Sequence, residues 1–300
     1  MMPQPITNFG RDRQLRTRMW FTFLMLGLVY GFFVWLVLQY SPIMLILVGG
    51  MVLFQFAMSD KMVLASMRAK VVTPEQAPKL HGMIEKLSAA AGIPKPKVAI
   101  SDMPIPNAFA TGRSQKHAAV AVTTGLMNML SDDELEGVLA HEISHIRSKD
   151  VVVMTYASFF LIVAATLSTW LMFSAMFGGM GRSRNNNSGS IIMVVLLATF
   201  VVRIVGGMLV AALSRYREYS ADRGAAILTR RPMHLASALE RISGSMTRLP
   251  QEDLRRAESM NAFFIMPAVG AGLASLFSTH PSMNRRVERL REMDRDLAFM

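Results

Sequence analysis

The segment that decides the fold is SDDELEGVLAHEISHIRSKD, which runs from Ser131 to Asp150 and leads into a long apolar run beginning at Val151. Ser131 and Glu134 have the spacing of a capping box at a helix start. The apolar residues that follow recur at the spacing of one helix face. We therefore predict a helix over this segment, followed directly by a membrane-spanning segment.

Two histidines on this helix have the spacing of a metal site. His141 and His145 lie four residues apart, so both imidazoles project from one face and can bind the same ion. The carboxylate of Glu142, one step around the helix, can take a proton from a water molecule that the metal activates. The pattern is typical of metal-dependent peptide-bond hydrolysis. The alternative is a chance pentapeptide on a packed helix, which six histidines in 300 residues would produce about one time in a hundred.

A catalytic zinc usually has three protein ligands and one open position, so a further ligand must come from elsewhere. Glu218 is the best candidate. Asp222 lies four residues later, on the same face of a helix, where it can hold the second ring nitrogen of a zinc-bound histidine, best of all His141. The alternative is an exposed helix on which these carboxylates alternate with arginines.

These motifs together resemble the HtpX family of integral-membrane zinc metalloproteases, which are distant relatives of the prenyl-protein endopeptidases. The resemblance extends over most of the chain. It rests on four segments in this order, which are Asn107–Gly112 (NAFATG), the helix with His141, Glu142 and His145, Arg217–Asp222 (REYSAD) and Thr279–Pro281 (THP).

The resemblance implies a role for each matching residue. The zinc ligands would be His141, His145 and Glu218, with one zinc per chain. Glu142 would be the general base and Asp222 would support a ligand.

The resemblance also implies functions for residues outside the metal site. His280 would stabilise the oxyanion, and Asn107 and Phe109 would belong to an edge strand that pairs with an extended substrate. The alternating run at 119–122 predicts a neighbouring strand of the same sheet. Two of these roles have alternatives. Pro281 suits the first turn of a helix, which would leave His280 as a solvated residue at the helix end. The side chain of Phe109 can pack in an ordinary core.

Composition indicates a membrane enzyme with an aqueous part. Hydrophobic residues make up 52% of the chain and charged residues 18%, and the mean hydropathy is +0.33. Four apolar segments are predicted to span the bilayer, at about residues 19–39, 42–58, 151–178 and 190–213. The chain has no cysteine, which excludes disulfides and thiolate ligands.

Charge predicts the orientation and the partners. Four arginines precede the first apolar segment and none follows it at Tyr40 and Ser41, so the N-terminus and, with four spans, the C-terminus are predicted to be cytoplasmic. Arg182 and Arg184 would then lie outside, against the general excess of basic residues in cytoplasmic loops. The net charge of +11 forms no dense basic stripe with aromatics, so we expect contact with anionic lipid and not with nucleic acid.

The predicted fold class is an α-helical membrane protein with a mainly α, α+β zincin-like metalloprotease domain. Residues 1–58 would form an N-terminal arm and two spans, and 59–150 the first part of the protease domain with the zinc helix. Residues 151–213 would form the third and fourth spans, and 214–300 the second part of the domain with the third ligand.

Two further features concern the apolar parts of the chain. Arg203 lies within the fourth segment, where a central arginine is costly, so we expect a structural partner for it. The stretch Asn261–Ser278 is apolar and Gly-rich but short for a span. We expect it to be core, with a membrane-facing flap as the alternative.

The sequence thus predicts a zinc endopeptidase of the bacterial inner membrane with a cytoplasmic protease domain. The resemblance implies that it cuts damaged or misfolded membrane proteins in protein quality control and the stress response. One alternative is a prenyl-type endopeptidase with an enclosed chamber, which four spans are too few to build. The other is a non-catalytic zinc-stabilised scaffold, against which Glu142 argues because a structural zinc site needs no base. No feature indicates an oligomeric state.

Overall fold

Helix and sheet elements converge on the helix that carries the two histidines. The computed structural model describes residues 13–40, 63–177, 187–246 and 280–298, together with residues 43, 46, 49, 50, 53, 54 and 61. The strands are β1 (Ala69–Val71), β2 (Lys97–Ser101), β3 (Ala108–Thr111) and β4 (Ala119–Thr123). The helices are α1 (Arg13–Tyr40), α2 (Pro78–Ala91), α3 (Thr124–Met129), α4 (Asp132–Arg147), α5 (Asp150–Phe177), α6 (Asn187–Val201), α7 (Gly207–Thr229), α8 (Pro232–Met246) and α9 (Met283–Ala298).

The four strands form one small sheet in the order β1-β2-β4-β3. The pair β2 and β4 is parallel, and the other two pairs are antiparallel. Every residue of β4 is buried, and the strand predicted at 119–122 is confirmed. Strand β3 is an edge of the sheet and packs against α4. The sheet therefore places a strand edge beside the histidine helix.

Helix α4 begins where the sequence predicts. The capping box is confirmed, since the Ser131 hydroxyl accepts from the Glu134 N–H while the Glu134 carboxylate accepts from the Ser131 N–H at 2.9 Å. The same carboxylate accepts a hydrogen bond from Ser237 of α8. Gly137 lets α8 approach closely, because a Cβ there would lie 2.8 Å from the backbone nitrogen of Leu235. The cap and the glycine together fix α8 against α4.

A tight turn separates α4 from α5. Lys149 has a φ of 57°, in the left-handed region, and the next residue, Asp150, is the first of α5. Because the turn is so short, the side chain of Asp150 returns toward the end of α4.

Among the residues that the structure describes, three helical stretches are long and apolar enough to cross a membrane, namely Arg13–Trp35, Asp150–Thr169 and Met193–Thr229. They correspond to the first, third and fourth predicted spans. Their helices pack together, and the Tyr30 hydroxyl donates to the Ala157 carbonyl at 2.6 Å. The predicted second span lies mostly outside the described residues, although its few described residues are helical.

The last of these stretches is nearly one helix. A π-helical turn at Val202–Gly206 joins α6 to α7, which continues across residue 213, where the sequence analysis divides the spans from the protease domain. Arg203 lies in this turn, and its side chain is exposed and forms no ion pair with any residue that the structure describes. The expected partner is therefore not found in the described part of the chain. The segment Asn261–Ser278, Thr279 and the two arginines between α5 and α6 lie outside the described residues.

Candidate metal centre and active site

Helices α4 and α7 bring three potential ligands together. His141 and His145 lie on α4 and Glu218 on α7, and one donor atom from each lies within 4.8 Å of the others. The two Nε2 atoms are 3.0 Å apart. The Glu218 carboxylate lies 3.6 Å from Nε2 of His141 and 3.5 Å from Nε2 of His145. The fold thus assembles the three residues that the sequence predicts as ligands, although distant parts of the chain supply them.

The other ring nitrogen of each histidine faces a carboxylate. Asp222, one turn after Glu218, places Oδ1 3.0 Å from Nδ1 of His141, as the sequence analysis expects. Asp150 places Oδ2 2.7 Å from Nδ1 of His145. A carboxylate only accepts, so each Nδ1 donates its proton to the carboxylate, and Nε2 is the ring nitrogen that can bind a cation once it is deprotonated.

Asp150 is a candidate functional residue that the sequence pattern did not indicate. It lies five residues after His145, a spacing that does not repeat one helix face. Only the left-handed turn at Lys149 returns its carboxylate to the histidine. Asp150 ends the diagnostic segment, yet no periodicity in the sequence signals this contact.

Two buried arginines complete the centre, and the sequence analysis assigned neither a role in it. Arg286, on α9, is fully buried and donates to both Asp222 oxygens at 2.9 and 2.7 Å. It also lies 3.1 Å from the Glu218 carboxylate. Arg217 forms an ion pair with Asp150 and donates to the Ser148 carbonyl at 3.1 Å. Each histidine therefore contacts a carboxylate, and that carboxylate in turn pairs with an arginine guanidinium.

When both histidines are neutral, as metal binding requires, the buried charges of the centre do not balance. Four buried carboxylates then face two buried guanidinium groups, which leaves an excess of two negative charges; the groups are Glu142, Asp150, Glu218, Asp222, Arg217 and Arg286. Uncompensated buried charge is strongly unfavourable. A divalent cation would neutralise the excess, and imidazole and carboxylate donors suit such an ion. The residues present thus fit a divalent metal.

The same groups influence the protonation of the histidines. Burial lowers the pKa of His141, but hydrogen bonds to Asp222 and Glu218 outweigh burial and raise it. Burial also lowers the pKa of His145, and the hydrogen bond and charge of Glu218 raise it overall. Because a metal binds only the deprotonated ring nitrogen, a proton competes with the ion at this centre.

A cavity of about 390 Å³ adjoins the three ligands. Glu142 lines it and is only 4% exposed. His280 lines it too, with Nδ1 3.4 Å from the Glu218 carboxylate, so this side chain faces the centre and is not a solvated helix end. The two residues predicted for proton transfer and oxyanion stabilisation therefore both border the space next to the ligands.

The edge strand β3 forms one wall of the cavity. Its contributors are Ala108 and Ala110, not Asn107 or Phe109. The Phe109 side chain belongs to the hydrophobic core, and Asn107 is fully buried. The side chain of Phe109 therefore packs in the core, which was the alternative to a substrate-facing role. The alternating sequence pattern alone does not indicate which face of the strand borders the cavity.

Comparisons with known proteins identify the family of the chain. Residues 74–294 match peptidase family M48. The chain is 50% identical to Protease HtpX homolog 2 of Methanosarcina mazei over 295 residues, which cover 97% of this chain and 99% of that protein. It is 49% identical to the Protease HtpX homolog of Moorella thermoacetica over 296 residues, or 97% and 98% of the two chains.

A solved structure shares the fold. The crystal structure of S. mikatae Ste24p has a TM-score of 0.51 and 20% sequence identity, and the match covers 91% of this chain and 67% of that one. The predicted fold class and the resemblance to HtpX proteases are both confirmed. Because the family match covers most of the chain and the relatives align along nearly all of it, the protein belongs to peptidase family M48 as a membrane metalloprotease of the HtpX type.

Proposed function

We propose that this membrane metalloprotease is a zinc endopeptidase whose ion is held by His141, His145 and Glu218. The observation that carries the proposal is the convergence of these three donors beside a cavity. Two imidazoles and one carboxylate are a ligand set that catalytic zinc uses, and three protein ligands leave a position open for chemistry. When bound, the ion supplies a Lewis acid that polarises the peptide carbonyl and acidifies a water molecule.

Glu142 acts as the general base in this proposal. Its carboxylate accepts the proton of the attacking water and returns it to the leaving amine. Its burial at the cavity wall, next to His141 in sequence, supports this role. An N–H of the His280 ring donates to the oxyanion that forms on the substrate carbonyl.

The substrate backbone pairs with β3. Thr123 donates from its backbone N–H to the Asn107 carbonyl at 2.9 Å, so residues 107, 109 and 111 direct their backbone groups toward β4. Ala108 and Ala110 then direct theirs to the open edge. An extended substrate chain gains main-chain hydrogen bonds there, next to the metal ligands.

The substrates that we propose are damaged or misfolded membrane proteins, as the sequence analysis expects. Asp150 contacts His145 and is also the first residue of the apolar helix α5, so the centre lies at the boundary of the bilayer. Chains already held at the membrane have a raised effective concentration at such a site. We also propose that the chain has four parts. Residues 1–58 form the N-terminal arm with two spans, 59–150 the first part of the protease domain, 151–213 the third and fourth spans, and 214–300 the second part of the domain.

Activity and metal content test the catalytic assignment together. Detergent-purified protein should digest casein, and a chelator should stop the digestion. Glu142→Gln should remove hydrolysis but keep about one zinc per chain, since the ligands remain. Glu136→Gln is the matched control, because Glu136 lies on the same helix and instead pairs with Lys86. Equal activity in Glu142→Gln and wild type would contradict the assignment.

Topology reporters test the orientation. We propose that the protein lies in the plasma (inner) membrane with both termini and the protease domain in the cytoplasm. Reporters fused after Arg18, near Gly189 and at Met300 should read inside, outside and inside. An inside signal near Gly189 would remove the third and fourth spans as a crossing pair.

A further inference from the structure

The cavity next to the metal ligands continues along helix α5. Besides Asp150, five residues of α5 line it, and their spacing places them on one helix face; they are Val151, Met154, Thr155, Ser158 and Ile162. The first and last are eleven positions apart, which corresponds to about 16 Å along a helix axis. The cavity thus extends from the catalytic residues into a helix that is apolar enough to span a membrane.

This extension differs in chemistry from the catalytic end. Every charged or histidine side chain that lines the described cavity belongs to the metal centre or lies beside it. From Val151 to Ile162 the α5 wall consists of aliphatic, thioether and hydroxyl side chains, and the Thr155 hydroxyl donates to the Val151 carbonyl at 2.7 Å. That hydroxyl therefore needs no partner from a ligand. Such a wall favours an apolar group.

The size of the space suits a ligand group. Ligand pockets usually measure about 300 to 1,000 Å³, whereas a water molecule occupies about 30 Å³. At about 390 Å³, the cavity holds more than the reacting peptide bond needs. Small side chains keep the space open, since Ser158 on α5 and Ser214 on α7 both line it.

We infer that the α5 side of the cavity is a binding subsite for one apolar substrate side chain next to the cleaved bond, and that Met154, Ser158 and Ile162 set its size. The inference rests on the proposed function. The occupant follows from continuity, because Ala108 and Ala110 border the same cavity and a chain paired with them directs side chains across it. A free lipid chain would have no such anchor at the catalytic end.

Filling the subsite tests the inference in the full-length protein. Two quenched fluorescent peptides are made from a mapped cleavage site, with either Ala or Phe beside the cleaved bond, and each flanking position is tried in turn. Ser158→Leu should lower kcat/KM for the Phe peptide at one position by about tenfold or more, and for the Ala peptide by less than about threefold, since even one methylene in an apolar pocket changes discrimination by about 10 to 200-fold. Thr169→Leu is the matched control, because Thr169 is exposed on the same helix and does not line the cavity.

Enlarging the subsite gives a second test that does not depend on Ser158→Leu folding. Ile162→Ala should shift the preference about tenfold toward a peptide with a residue larger than Phe. A binding readout separates the subsite from catalysis. In the Glu142→Gln background, fluorescence anisotropy should show that Ser158→Leu weakens binding of the Phe peptide about tenfold and leaves binding of the Ala peptide nearly unchanged.

The outcomes distinguish the two proposals. Equal changes for both peptides in all variants would overturn the subsite while chelator-sensitive cleavage by wild type upholds the protease assignment. Lack of chelator-sensitive cleavage by wild type would overturn the proposed function, and with it a subsite for a residue beside the cleaved bond. If Ser158→Leu weakened the binding of a fluorescent acyl chain and left peptide selectivity unchanged, the space would be assigned to lipid and the inference overturned.

Discussion

Asp150→Asn tests how the structure holds the metal through its outer contacts. The substitution keeps the shape of the side chain but removes the charge that faces Nδ1 of His145 at 2.7 Å. Loss of such a partner typically lowers metal affinity by about 10 to 100-fold, which corresponds to about 1.4 to 2.8 kcal/mol of binding free energy. Arg217 also loses its buried counter-ion. We therefore expect reduced stability as well, because a buried charge without its partner costs about 3 to 5 kcal/mol.

The two effects can be separated by experiment. Competition with a calibrated chelator gives the zinc dissociation constant of each purified variant, and thermal unfolding of the metal-free protein gives the stability. Adding Arg217→Met to Asp150→Asn should restore part of the stability but not the affinity. Asp222→Asn should cause a similar loss of zinc affinity through His141. Asp132→Asn, at an exposed residue at the start of α4, should cause no loss. A zinc dissociation constant for Asp150→Asn within twofold of wild type would refute the reasoning.

Three further changes probe the packing, the helix cap and the third ligand. Gly137→Ala should lower the free energy of unfolding by about 1 to 3 kcal/mol in chemical denaturation, because the added Cβ would meet α8 at 2.8 Å; Gly82→Ala, at an open helix site, should not lower it. Burial raises the pKa of Glu134, but hydrogen bonds from Ser237 and the helix cap outweigh it, so the pKa lies below its ordinary 4.5 in the folded state. The stabilisation is therefore complete above pH 4.5 and is lost as the pH falls below it, and Glu134→Gln should reduce this loss in unfolding measured from pH 5 to pH 3. Glu218→Ala should lower zinc content after dialysis, and wild-type content in this variant would place the third ligand elsewhere.

The features that the sequence predicts best are local ones. Helix α4 follows from the cap at Ser131 and from an apolar face, both of which lie within a few residues of each other. The two histidines of α4 follow from the same helical spacing. Glu218 and Asp222 share a face of α7 for the same reason. The charge pattern alone also allowed an exposed helix, and the family resemblance supported the pairing with α4.

The features that the sequence does not predict depend on tertiary contacts. Arg286 reaches the centre from α9, and a charged residue beside Val287 and Leu290 gives no sign that it is fully buried. The position of the Asp150 carboxylate depends on the left-handed conformation of Lys149. A lysine in the sequence does not indicate such a conformation, as a glycine would. Periodicity describes faces of single elements, so contacts made across a turn or between distant helices lie beyond it.

The position of Asp150 has a consequence for engineering this enzyme. The residue is the first of a helix that is apolar enough to cross a bilayer, and its carboxylate contacts His145, a proposed metal ligand. The same helix supplies a wall of the catalytic cavity. Deleting the spans to obtain a soluble catalytic fragment would remove part of the machinery with the anchor, so biochemical work requires the intact chain in a detergent micelle or a lipid nanodisc.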